Sequence, residues 1–112
     1  AGRVSAITGS CVTYAGGGGG GVETSGTIAT GGTGGGGCGG NGPTAAVAGT
    51  DALGGGGGAS IGNTTMPGGK GVVILSVPDA SYSGTKTGSP VVTTGVSGKT
   101  IIKFTGSGSY TT

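Results

Sequence analysis

Glycine fills residues 16–21, 34–37 and 54–58 without interruption. A run of this kind has no side chains to pack as a core and none to carry chemistry. Only the backbone remains, so order there has to come from backbone hydrogen bonds and close backbone approach. Ordering is also expensive, because glycine gives up about 1 kcal/mol more conformational freedom per residue than alanine. Such runs are either disordered or held by an unusual arrangement. Residues 16–71 carry 26 of the chain's 34 glycines, so the choice decides the fold of the whole middle segment.

Glycine and proline make up about a third of the 112 residues, a composition that without a strict triplet period belongs to low-complexity chains. The charge content points the other way. Five basic and three acidic residues are few, and mean hydropathy is slightly positive, whereas disordered chains are polar and charge-rich. We therefore expect a single ordered domain spanning 1–112, with a hairpin over 1–15, a glycine layer over 16–71 and an antiparallel β unit over 72–112.

Helix is excluded from residues 16–71 by the cost of glycine in helix interiors and by the lack of apolar residues at spacings of three and four. Ordinary sheet is disfavoured, since glycine strands offer no side chains to pair across a ladder. A polyproline-II-like glycine helix suits the runs. It has three residues per turn and a rise of about 3.1 Å, and its unpaired N–H and C=O groups point outward in three directions. Without Cβ atoms, neighbouring helices can approach and bond on several sides. The connectors would then emerge at the ends of such a bundle as loops.

The flanks read as β-structure. Val4 and Ala6, then Cys11 to Tyr14, fit two short strands around Thr8-Gly9-Ser10. The run Val72-Val73-Ile74-Leu75-Ser76-Val77 ends at Pro78-Asp79 as a strand ends at a turn. Val91 to Thr94, Lys99 to Thr105 and Ser109 to Thr112 follow as further strands of a small antiparallel sheet or sandwich. The fold class expected is mainly β, with an irregular glycine-rich region forming a polyglycine-II-type bundle and no α-helix.

The chemistry of the chain is sparse. It has no histidine, which removes His-dependent nucleophile systems and most transition-metal sites. Glu23, Asp51 and Asp79 are widely spaced and read as solvated loop carboxylates rather than a glycosidase-like pair. No acidic calcium-loop pattern is present. Catalytic, cofactor and metal sites are therefore not expected. Gly95-Val96-Ser97-Gly98-Lys99-Thr100 imitates the end of a phosphate-binding loop, but Thr93 stands where that motif needs glycine, and a strand pattern follows instead of a helix. It reads as a hairpin turn with an exposed lysine. Cys11 and Cys38 allow either a disulfide in an oxidising compartment or two free thiols. Asn63-Thr64-Thr65 matches a glycosylation acceptor, a triplet frequent by chance in Thr-rich chains.

Arg3, Lys70, Lys86, Lys99 and Lys103 are scattered and form no basic stripe, so a nucleic-acid partner has no support. No stretch approaches the roughly 18 apolar residues of a membrane span, and membrane insertion is not expected. No signal-peptide pattern or initiator Met is present. The chain, starting at Ala1, reads as a processed product or a piece of a longer protein.

The order of the pieces carries a resemblance. Val12-Thr13-Tyr14-Ala15 leads into the first glycine run, and runs with short connectors follow. Gly68-Gly69-Lys70-Gly71-Val72-Val73-Ile74-Leu75-Ser76-Val77-Pro78 comes next. The chain closes on Ile101-Ile102-Lys103-Phe104-Thr105-Gly106-Ser107-Gly108-Ser109-Tyr110. This resembles the glycine-rich domain near the C-termini of bacteriophage structural proteins, tail-fibre and adhesin-like proteins among them. Val77 stands where that family usually has an aromatic residue before the proline. The resemblance implies a virion component without enzymatic activity, built as a layer of polyglycine helices that displays loops. The implied display residues are Glu23, Thr24, Ser25, Asn41, Thr44, Asp51, Ser60, Asn63 and Thr64. Implied partners are other virion subunits, including copies of itself, and a host cell-surface glycan or outer-membrane protein. A self-assembling subunit of an extracellular filament or coat is the competing expectation, motivated by the thin core and by sheet edges open to pairing.

Overall fold

The computed structural model describes residues 1–62 and 65–112. Asn63 and Thr64, the first two residues of the glycosylation triplet and two of the nine display residues, lie outside the described residues. Among the described residues the chain is mainly β, with three small antiparallel sheets and no α-helix. It divides into two compact units, Ala1–Val4 with Val12–Gly71, and Ser5–Cys11 with Val72–Thr112. The strands β1 (Arg3–Ser5) and β2 (Val12–Tyr14) pair as expected, and the loop between them belongs to the C-terminal unit.

In the glycine-rich unit, six extended segments alternate in direction. Three runs at 15–22, 34–41 and 54–60 are separated by return segments at 29–32, 46–50 and 66–71. Hydrogen bonds fix these directions. Gly16, Gly19 and Val22 donate to the carbonyls of Gly34, Gly37 and Gly40, so the first two runs are parallel. Gly37 and Gly40 donate to Gly56 and Ala59, and Gly56 and Ala59 donate back to Gly16 and Gly19. The three runs thus form a closed triangle. The return segments lie antiparallel to the runs they touch. Gly32 donates to Gly17 while Gly39 donates to Ala29, and Val47 donates to Cys38 while Thr50 donates to Gly35. Met66 donates to Gly58 and Gly69 to Gly55 in the same sense.

Followed amide by amide, the triangle is one continuous relay. It passes from Val22 to Gly40, Ala59, Gly19, Gly37, Gly56, Gly16 and Gly34, descending three residues per circuit. Buried glycines recur at this spacing at 16 and 19 in the first run, 37 and 40 in the second, and 55 and 58 in the third, and Gly39 is buried as well. The only apolar side chain buried in this unit among the described residues is Ala46. One methyl, worth roughly 1 kcal/mol, cannot offset a backbone ordering cost of about 1–2 kcal/mol per residue. Inter-segment hydrogen bonds and close backbone packing therefore hold the unit together.

The C-terminal unit has conventional side-chain packing. β3 (Val73–Pro78), β5 (Val91–Val96) and β6 (Lys99–Phe104) form an antiparallel sheet in the order β3-β6-β5. The strands at 72–77, 91–94, 99–105 and 109–112 appear within one or two residues of the expected bounds. The unexpected element is β4 (Lys86–Thr87), which pairs with β7 (Ser109–Tyr110). Central β6 is buried on both faces through Thr100, Ile101, Ile102 and Phe104. Register places Val77, Leu75 and Val73 beside Thr100, Ile102 and Phe104 on one face. On the Ile101 face, loop residues Ile7 and Gly9 help to line a depression with Val96.

Hydrogen bonds fasten the turns of this unit. After β3 the chain makes a single 3-10 turn, Asp79–Ser81. The Thr100 hydroxyl donates to Asp79 Oδ1 at 2.7 Å, and the Asp79 amide donates to Gly98. Tyr82 and Tyr110 stack with centroids 5.9 Å apart, and the Tyr110 hydroxyl accepts from the Ser83 amide at 3.2 Å. The phosphate-loop imitation is a hairpin turn. β5 ends at Val96, Ser97 and Gly98 both take positive φ, and β6 starts at exposed Lys99. Cys11 and Cys38 are free thiols, and Cys38 sits inside the second glycine run.

Candidate functional site

The alternation of runs and returns sorts the connectors by end. Connectors 23–28 and 41–45 and the third connector, described at Ile61, Gly62 and Thr65, each follow the upper end of a run, so the described residues of all three lie at one end of the glycine-rich unit. The bridges Val22↔Asn41 and Gly40↔Ser60 set these run ends level with one another. The turns near Thr33 and at 51–54 lie at the opposite end, where Ala15 donates to Leu53 and Thr50 to Gly35.

Seven of the nine display residues can be placed. Glu23, Thr24, Ser25, Asn41, Thr44 and Ser60 gather at the three-connector end. Asp51 lies at the other end, where its Oδ1 accepts the Lys70 amide at 2.7 Å and ties the turn to the third return segment. Asn41 acts as a strut, because its Nδ2 donates to the Gly26 carbonyl at 3.3 Å and links the first two connectors. Its main chain also exchanges hydrogen bonds with Thr44 at 2.9 and 2.7 Å, closing the second connector on itself. The first connector turns tightly through the Gly26 amide donating to Glu23. Ser60 has its hydroxyl buried without a hydrogen-bond partner.

Glu23, Thr24 and Ser25 are exposed and line a depression of about 430 Å³ together with Val22, Gly42 and Ile61. All three connectors contribute to it. Its chemistry is one carboxylate and two hydroxyls beside two aliphatic side chains, of which Ile61 is 53% exposed. Such a set can accept and donate hydrogen bonds and offer an apolar contact. Val22, Gly42 and Ile61 were not singled out from sequence. Ile61 carried a usable signal, as a large apolar residue next to Gly62 in a polar connector. Val22 and Gly42 carried none, because their place follows from the pairing of the runs.

The other carboxylates do not join this site. Asp51 is at the far end of the same unit, and Asp79 belongs to the C-terminal unit, where Thr100 and Gly95 engage it. Comparison with protein-family models, curated proteins and solved structures finds no match to this chain.

Proposed function

We propose that this chain is a non-enzymatic bacteriophage structural domain of tail-fibre or adhesin type, which displays its three connectors for attachment to a host surface. The observation that carries this reading is the gathering of connectors 23–28 and 41–45 with the start of the third connector, at Ile61, at one end of a unit held by backbone bonds. In such a scaffold, loop sequence can vary without disturbing a side-chain core. We read its six segments as polyglycine-II helices, supported by the three-residue recurrence of the hydrogen bonds that link the three runs. The working location is the virion. The partners are other virion subunits and a glycan or outer-membrane protein of the host.

The test is adsorption. The combined variant Glu23→Ala, Thr24→Ala, Ser25→Ala should lose binding to host cells and envelope fractions while keeping the wild-type melting temperature. Asp51→Ala, at the opposite end, should retain binding. A wild-type domain that neither associates with virions nor binds host envelopes would contradict the proposal.

A subunit of an extracellular filament or coat is the second reading. The thin side-chain core of the glycine-rich unit, where Ala46 is the one buried apolar side chain among the described residues, favours it.

A further inference from the structure

We infer that the free edge of β3 is a self-association site, which pairs antiparallel with β3 of a second copy of this chain about a two-fold axis at Leu75. The inference deepens the assembly part of the proposed function and does not depend on host attachment.

Both β3 and β5 are edge strands of the three-stranded sheet, but they differ in protection. Edges are normally blunted by charge, bulges or proline. The β5 edge is interrupted where its register shifts between Thr93 and Val96, at Gly95 with φ +72°. The β3 edge pairs continuously with β6 from Val73 to Pro78, with no charge and no bulge, and meets proline only as its last residue. Among the described residues, no backbone hydrogen bond outside its ladder with β6 reaches β3. Its outward N–H and C=O groups are therefore available to another strand.

The sequence of β3 specifies its own kind as that strand. In an antiparallel pair centred on Leu75, Leu75 faces Leu75 of the copy, Val73 faces Val77, and Ile74 faces Ser76. Directly opposed residues share a face. Val73, Leu75 and Val77 would therefore extend the buried row of Phe104, Ile102 and Thr100 across the axis into the second sheet. Val73, 59% exposed in the single chain, would gain an aliphatic partner. No like charges meet anywhere in this register. The arrangement is isologous and closes as a dimer with a continuous six-stranded sheet.

Sedimentation velocity on the full chain tests this. Wild type should approach twice the 10.0 kDa chain mass with rising concentration. The double variant Val73→Lys, Ser76→Lys, at two exposed positions, should remain at the mass of one chain with an unchanged circular dichroism spectrum. Val91→Lys, on the interrupted β5 edge, should dimerise like wild type. Wild type that stays a single chain up to its solubility limit overturns the inference, as does association that survives the double variant. In either case the adsorption experiment still reads host attachment independently.

Discussion

At Gly18, an added Cβ would overlap the carbonyl oxygen of Gly57 in the third run, whereas at Gly17 and Gly20 it would meet nothing. The same residue type in one run thus faces two opposite surroundings. Gly18→Val should destabilise the domain by about 3 kcal/mol or more, since neither backbone can retreat without breaking the relay. Gly17→Ala should change stability by about 0.5 kcal/mol or less, as surface substitutions usually do. Thermal melts of the two variants check the contrast. The need for glycine in these runs was legible from sequence, because no other residue lets backbones approach so closely. Which glycines are obligatory was not, because that depends on the register between distant runs. Asp51 shows the same limit. A lone Asp between Thr50 and Ala52 reads as a solvent-facing loop carboxylate, yet its partner is the Lys70 amide, 19 residues away in sequence.

Among the elements, the β-strands were the most readable part of the chain. Continuous β-branched runs ending at Pro78, Gly95 and Gly106 mark β3, β5 and β6 directly. β4 escaped notice because Lys86-Thr87 has no apolar alternation. It is held by pairing with Ser109-Tyr110 and by the Thr87–Ser109 hydroxyl contact at 2.7 Å. The turn after β3 depends on Asp79, which accepts from the hydroxyl of Thr100, a residue only 1% exposed. Asp79→Ala leaves that hydroxyl without its acceptor and should cost about 1–3 kcal/mol. Chemical denaturation of the variant, compared with Asp79→Asn, measures it. The amide keeps an acceptor oxygen and should recover part of the loss.

On the scale of the whole molecule, two ways of building order share one chain. The C-terminal unit encloses Ile101, Ile102 and Phe104 in the usual way, while the N-terminal unit closes a ring of backbone hydrogen bonds around almost no buried side chains. The glycine runs were visible in sequence, but the stretches expected to be loops, Val22 to Thr30, Asn41 to Leu53 and Ala59 to Pro67, also hold parts of the bonded return segments, where Val47 donates to Cys38, Thr50 to Gly35 and Met66 to Gly58. The sorting of the connectors into two ends was not visible, because it follows from the alternation of segment direction. That sorting separates Asp51 from the other described display residues and brings Val22, Gly42 and Ile61 to Glu23, Thr24 and Ser25. The account therefore rests on the backbone relay, and residue-resolved amide hydrogen exchange by NMR tests it most directly. The amides of Gly16, Gly19, Gly37, Gly40 and Gly56 should exchange slowly, and those of Gly17 and Gly20 quickly, giving protection every third residue along the first run. Uniformly fast exchange through residues 16–21 would show a flexible linker and contradict the scaffold.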